Sequence, residues 1–211
     1  ALAALELIGA KRALVVCPAS VWTNWLQERE EGGIHIPFFG VISYNQAVSG
    51  NTSLGLNINS SLPPERFDAI ILDEAHFLKT PESQRTQAIF KNERGLARYS
   101  KYKWCLTGTP VLNRPRELYP ILKTLHHDGI APYTTWEKFT QRFCGAFFDG
   151  YAVNTKGASH IEDLRNRLQG FMLRRTKAEV LKELPPRIVS HPAIELSTSE
   201  LSPILSLEEE I

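Results

Sequence analysis

Through the first 125 or so residues, apolar positions cluster in short unbroken runs: Ala13-Leu14-Val15-Val16-Cys17, Ile70-Ile71-Leu72 and Trp104-Cys105-Leu106. A strand covered on both faces reads as such a continuous β-branched and leucine run, as strands of parallel sheets do. Between the runs the spacing turns helical. Trp22, Trp25 and Leu26 fall at i, i+3 and i+4 behind Ser20, a good N-cap. Thr80 with Pro81 and Glu82 marks a second helix start, carrying Thr86 to Phe90. Leu118, Ile121, Leu122 and Leu125 repeat at i, i+3, i+4 and i+7. Strand and helix signals therefore alternate, which predicts an α/β, three-layer fold: a mostly parallel sheet with helices on both faces. The Ser/Asn/Gly-rich stretch 49–61, closed by Pro63-Pro64, is expected as a surface loop.

From about Asp128 the pattern becomes mostly helical. Three capping boxes are expected, Thr134 with Glu137, Ser159 with Glu162 and Thr176 with Glu179. Trp136, Phe139 and Phe143 form one apolar stripe and Ile161, Leu164 and Leu168 another, at the spacing that cores produce. The segment 147–157 between them reads as a loop or small hairpin. Arg165, Arg167, Arg174, Arg175, Lys177, Lys182 and Arg187 make the C-terminal part the most basic, although interleaved Glu162, Asp163, Glu179 and Glu183 suit a solvated helix face equally well.

Composition narrows the class. The 211 residues, 43% hydrophobic and 22% charged, fit one large domain or a domain with an appended subdomain and exclude a disordered chain or a fibre. No apolar stretch approaches the roughly 18 residues of a membrane helix, and the first ten residues lack the basic start of a signal peptide, so an intracellular protein with no membrane partner is expected. Cys17, Cys105 and Cys144 have no Cys-x-x-Cys spacing, which disfavours metal and disulfide readings. His126-His127-Asp128 reads as a polar helix end, because adjacent helical residues do not face one another. Net charge is +1, from 24 Lys+Arg against 23 Asp+Glu, so any nucleic-acid binding must come from local patches.

The candidate chemistry lies at strand ends. Ile70-Ile71-Leu72 runs into Asp73-Glu74, and open α/β sheets bind ligands at the carboxyl ends of their strands. P-loop ATPases build their magnesium site on an apolar strand that ends this way. Asp73 would hold Mg2+ on a nucleotide's phosphates, usually through water because Mg2+ dehydrates reluctantly, and Glu74 would orient and deprotonate the attacking water. Alone, the pair reads first as the solvated end of an ordinary strand. A second apolar strand ends in Thr107-Gly108-Thr109-Pro110, where Gly108 permits close backbone approach or positive φ and both threonines can donate and accept hydrogen bonds. Such a turn suits a sensor of phosphate state. The helix start at Ser20 is a ready phosphate site or simply a capped core helix; its spacing does not decide.

Together these segments resemble the Swi/Snf family of superfamily-two DNA translocases. Residues 14–25 look like that family's motif Ia, Val41-Ile42-Ser43-Tyr44 like motif Ic, 70–79 with Asp73-Glu74-Ala75-His76 like motif II, and 104–113 like motif III, followed by Glu117-Leu118-Tyr119. Phe171-Met172-Leu173-Arg174-Arg175-Thr176-Lys177, with Val180, Leu184, Pro185 and Pro186, resembles the arginine-pair signature closing the first lobe. The stretch with Trp136, Phe139, Arg142, Phe143, Cys144 and then Gly157-Ala158-Ser159 looks most like the annealing-helicase branch and its bacterial and phage relatives.

The resemblance implies a first RecA-like lobe over residues 1–127, a helical protrusion over 128–187 and the start of a connection to a second lobe over 188–211. It implies ATP and Mg2+ as cofactors and double-stranded DNA as partner of a monomeric motor. Asp73, Glu74 and His76 would be catalytic. Thr107, Gly108 and Thr109 would couple phosphate state to DNA grip, and Ser20, Ser43, Tyr44, Arg174 and Arg175 would hold DNA phosphates. One departure stands out: the chain has no Gly-x-x-x-x-Gly-Lys-Ser/Thr, and Ala1 to Ile8 reads as the latter part of the helix that follows that loop in the family. The expectation is therefore a lobe beginning just after its phosphate loop. The rival readings are a DNA- or protein-binding module without catalysis and the motor subunit of a restriction or phage-defence system.

Overall fold

The computed structural model describes residues 1–50, 67–91, 95–108 and 114–175. In chain order it runs α1 (Leu2–Leu7), β1 (Arg12–Cys17), α2 (Trp22–Glu31), β2 (Phe38–Ser43), α3 (Tyr44–Ser49), β3 (Phe67–Leu72), α4 (Gln84–Phe90), β4 (Ser100–Cys105) and α5 (Tyr119–Leu125). Helix α6 (Trp136–Cys144), the short pair β5 (Phe147–Phe148) and β6 (Val153–Asn154), and α7 (Ile161–Leu168) follow. Of the expectations above, the loop beyond Gly50, Thr109 and the Thr176 capping box lie outside the described residues.

The apolar runs form a four-stranded sheet in the order β2-β1-β3-β4, every pair parallel, with Val15 in register with both Val41 and Ile71, and Ile71 with Trp104. Alternate side chains then serve two cores. Leu14, Val16, Ile42, Ile70 and Leu72 pack under α3, α4 and α5 with Ala47, Ile89 and Ile121. Ala13, Val15, Val41 and Ile71 pack against Leu5 of α1 and the Trp22, Trp25, Leu26 face of α2. Helices thus cover both faces, as the continuous apolar runs require. Asp68 ties two strand starts together: its Oδ2 accepts the amides of Lys11 at 2.7 Å and Arg12 at 2.8 Å.

A third core joins Leu118, Tyr119 and Leu122 to Phe139 and Phe143 of α6 and to Leu164 and Leu168 of α7. Packing makes Ala1–Met172 one compact unit and Leu173–Ile211 another. No helix among the described residues is long and apolar enough to cross a membrane.

Four helix starts differ from expectation. Ser20 caps nothing: it is exposed inside a 3₁₀ turn, Ala19–Val21, and Val21 stands at the N-cap of α2 without a side-chain bond. Thr80 and Pro81 belong to a turn closed by Ser83 N donating to Thr80 O at 3.1 Å, and Ser83 caps α4. Thr135 rather than Thr134 caps α6, accepting from Lys138 N. Ser159 donates its hydroxyl to Arg142 O at 2.6 Å, so it turns back toward α6 and leaves His160, at φ 47°, before α7. In each case neighbouring turn-formers compete, and backbone direction selects among them.

Candidate functional site at the strand ends

Backbone hydrogen bonds place the acidic pair. Asp73 N donates to Val16 O at 2.8 Å, Leu106 N to Leu72 O at 2.9 Å and Ala75 N to Leu106 O at 2.9 Å. The turn after β3 is thereby held between the ends of β1 and β4. Three further contacts fix Asp73: its Oδ2 accepts from Trp25 Nε1 at 2.9 Å, its Oδ1 from Glu74 N at 3.0 Å, and its carbonyl from Tyr44 Oη at 2.7 Å. Sequence reasoning placed Trp25 only on a core face and Tyr44 on a DNA face.

Glu74 occupies the left-handed region at φ 49°, ψ 49°, a conformation uncommon for a residue with a Cβ and found disproportionately at functional sites. Its Oε2 lies 3.0 Å from His76 Nδ1, which also lies 3.3 Å from Thr107 Oγ1. The two contacts converge on one ring nitrogen, and with a proton on Nδ1 both oxygens face a donor. Glu74, His76 and Thr107 therefore form a cluster between the end of β3 and the end of β4. The Glu74 side chain remains 43% exposed, open to water or a ligand.

The surrounding groups stay neutral. Burial, reinforced by Cys105 and Asp73, pushes the Tyr44 hydroxyl far above its ordinary value, which keeps it a donor. Burial, with Asp73 nearby, pushes the Cys17 thiol up to about 11, and burial pushes Cys105 up to about 12. Both cysteines are thiols here, packed as small hydrophobes rather than poised as nucleophiles.

The other expected site residues fare unevenly. Ser43 is half-buried and engaged in a capping box with Gln46 at the start of α3, and Tyr44 is buried with its hydroxyl on the Asp73 carbonyl. Gly108 has neither a left-handed φ nor a described atom within 4 Å of an added Cβ, so the requirement expected for glycine there is not met among the described residues. Arg174 and Arg175 are exposed and belong to the second unit. Beside His76 lies a cleft of about 670 Å³ lined by Asn45, Phe77, Lys79 and Arg85, with the Arg85 guanidinium 5.3 Å from the Phe77 ring centroid.

A family profile for the SNF2-related domain matches residues 41–203, from β2 through the arginine pair. The chain belongs to the SNF2-related domain family. Over 220 residues this SNF2-related domain is 26% identical to the DNA annealing helicase and endonuclease ZRANB3 of Bos taurus, covering 93% of the chain and 20% of that protein. It is 30% identical over 205 residues to a Caenorhabditis elegans homologue of the SWI/SNF-related matrix-associated actin-dependent regulator of chromatin subfamily A-like protein 1, covering 89% of the chain and 29% of that relative. In structure it matches the Sulfolobus solfataricus SWI2/SNF2 ATPase core in complex with dsDNA, with a TM-score of 0.61 at 22% identity, over 87% of this chain and 38% of the other. That likeness establishes the RecA-like fold of an SNF2 core.

The donor set at the strand end fits Mg2+, the ion that nucleotide use in the SNF2 family typically involves. Asp73 and Glu74 offer hard carboxylate oxygens, and Mg2+ is commonly held by one or two carboxylates with water and substrate phosphates completing its octahedron. Among the described residues no group of three or more His, Cys, Asp or Glu side chains could hold a metal, so an ion here would take most of its ligands from water and nucleotide.

Proposed function

We propose that this SNF2-related domain is the first RecA-like lobe of a DNA-dependent ATPase that moves along double-stranded DNA. Residues 1–127 serve as the lobe core, 128–187 as its helical protrusion and 188–211 as the start of the connection to a second lobe. The observation that carries the reading is the cluster Glu74, His76, Thr107, in which the Glu74 carboxylate and the Thr107 hydroxyl lie 3.0 and 3.3 Å from His76 Nδ1, with Asp73 held beside it by Trp25 and Tyr44. It links the carboxylate pair of one strand to the hydroxyl turn of the next.

In the full-length protein Asp73 would hold Mg2+, which supplies charge neutralisation on the phosphates. Trp25 orients the carboxylate by donating to one oxygen. Glu74 accepts a proton from the attacking water, and its contact with His76 Nδ1 aims it. His76 passes any change at Glu74 to Thr107, with Thr109 completing the sensor turn. Ser20, Arg174 and Arg175, and the Lys79 and Arg85 cleft, are assigned to DNA phosphates, which position DNA without reading sequence. The motor works as an intracellular monomer, and residues 1–211 alone hydrolyse no ATP.

Two substitutions in the full-length protein test this division. Glu74→Gln should abolish DNA-stimulated turnover, by at least 100-fold on the order expected for a lost general base, with Mg-nucleotide binding retained. Asp73→Ala should weaken Mg-nucleotide binding as well. Equal loss of binding in both variants, measured by calorimetry, defeats the assignment.

A further inference from the structure

Glu74 stands between two peptide groups, and each of them is held at both ends. In the 74–75 peptide the Glu74 carbonyl accepts from Phe77 N at 3.0 Å and Ala75 N donates to Leu106 O at 2.9 Å, so both partners are backbone groups. In the 73–74 peptide the Asp73 carbonyl accepts from Tyr44 Oη at 2.7 Å and Glu74 N donates to Asp73 Oδ1 at 3.0 Å, so both partners are side chains. The chain leaves the sheet ladder at this point: Asp73 N still pairs with Val16 O, whereas the Asp73 carbonyl turns to a tyrosine. Peptide groups are planar, so fixing the two planes fixes the dihedrals between them, here φ 49°, ψ 49°.

That left-handed conformation is unfavourable for a residue with a Cβ, and glutamate lacks the short polar side chain that eases it in asparagine and aspartate. Turning the 73–74 peptide over would return Glu74 to negative φ and carry its carboxylate away from His76 Nδ1, which lies 3.0 Å off in the observed turn. Of the two groups that oppose this, the Asp73 carboxylate is the one assigned to Mg2+. Tyr44 is the one that stands outside the turn. It opens α3, whose start is set by the Ser43–Gln46 capping box, and its ring is buried in the core with Ile42, Leu72 and Leu78, 5.9 Å from the Phe77 ring. A buried hydroxyl needs a partner, and for Tyr44 Oη that partner is the Asp73 carbonyl.

We propose that Tyr44 is a positioning residue for Glu74: its hydroxyl locks the 73–74 peptide and so holds the Glu74 carboxylate where it takes the proton of the attacking water. Trp25 and Tyr44 then divide the work at Asp73. Trp25 donates to the carboxylate and supports Mg-nucleotide affinity. Tyr44 donates to the carbonyl and supports the turnover step, touching neither the ion nor the water. This role rests on the ATPase reading and concerns the same site.

The test uses the full-length protein and Tyr44→Phe, which removes the hydroxyl and keeps the ring. DNA-stimulated kcat should fall about tenfold, the scale of one net hydrogen bond. The calorimetric Kd for Mg-nucleotide should stay within about twofold of the parent, which also shows the variant to be folded. Ile89→Val, a substitution in the same core on α4, should lower the melting temperature and leave kcat at the parental value, so that lost stability alone does not reproduce the effect. Added to Glu74→Gln, Tyr44→Phe should cost no further turnover in single-turnover assays, because a residue that acts through Glu74 has no base left to position. An unchanged kcat in Tyr44→Phe overturns the proposal. A Kd that weakens as much as kcat falls overturns it too, placing the effect on Asp73 and its ion. A second loss of the same size in the Glu74→Gln background, or an equal loss of kcat in Ile89→Val, overturns it by making Tyr44 a structural residue only. If Glu74→Gln abolishes turnover while Tyr44→Phe leaves it intact, the ATPase reading stands and the role of Tyr44 falls. A parent that hydrolyses no ATP with DNA present, or whose turnover survives Glu74→Gln, removes both.

Discussion

At the end of β3 the backbone does the positioning: amides and carbonyls of β1, β3 and β4 hold the Asp73–Ala75 turn at 2.8 to 2.9 Å. Between α6 and α7 one side chain does it. Asp163 accepts from Arg142 at 2.9 and 3.1 Å and from Arg167 at 2.8 Å, while Arg167 also reaches Ala131 O at 2.8 Å. The first arrangement is a direct product of strand order and register. The second depends on three long side chains meeting across 25 residues of sequence. A site built on strands can therefore keep its geometry when the helical part is loosened, and that difference can be broken experimentally.

The largest effect is expected in the helical core. Phe139 is fully buried and its ring contacts Tyr119 and Phe143 with centroids 5.3 and 5.0 Å away. Phe139→Ala should lower unfolding free energy by about 3–5 kcal/mol. Mg-nucleotide affinity of the folded full-length protein should nevertheless stay near the parental value. A parallel collapse of affinity at temperatures where the variant remains folded would show that the two regions are one mechanical unit.

The converse substitution is Trp25→Phe, which removes the indole donor to Asp73 while keeping an aromatic ring on the α2 face. A hydrogen bond to a charged group contributes about 1.5–3 kcal/mol, and the partial exposure of this one argues for the lower end. Mg-nucleotide affinity should fall about tenfold, at about 1.4 kcal/mol per decade, with kcat less affected. Calorimetry and steady-state kinetics on the full-length protein check it. Unchanged affinity would mean that the backbone alone orients Asp73.

These residues also mark how far the sequence could be read. The strands were legible because a fully covered strand must be apolar at every position, and Asp73, Glu74, His76 and Thr107 were legible because they directly follow such strands. Trp25 and Tyr44 reach Asp73 across 48 and 29 residues, and no local spacing encodes a contact at that distance. Tyr44 in particular has the composition of a phosphate contact and the burial of a core residue. The helix starts went astray for a different reason: hydroxyl residues stood side by side, and their identity says nothing about which one the backbone turns toward the helix.

Acid titration probes the Asp163 network. Arg142 first and Arg167 second hold its carboxyl below the ordinary value of 3.8. A group whose folded value is depressed adds stability above its unfolded value and loses it as pH falls through the folded one. The parent should thus lose melting temperature below about pH 4 more steeply than Asp163→Asn, and the two curves should converge in stronger acid. The effect should be modest, because the three side chains are 26% to 33% exposed and solvent screens them. Parallel curves throughout would show that the arginines hold α6 and α7 together no better around a carboxylate than around an amide.

The smallest effect separates two adjacent threonines. Thr135 is extended at φ −96°, ψ 155° and its hydroxyl accepts from Lys138 N at 3.4 Å, a long bond at an exposed position. Thr135→Ala should cost about 0.5 kcal/mol, the low end for an N-cap. Thr134 contributes its carbonyl, which accepts from Tyr119 Oη at 3.1 Å and survives replacement by alanine. Thr134→Ala should therefore be nearly neutral, even though Thr134 stands three residues before Glu137 and carries the sequence signature of the cap. Equilibrium unfolding of both variants decides between them. A larger loss at Thr134 would restore the capping box that the spacing predicts, and would mean that α6 begins one residue earlier in solution.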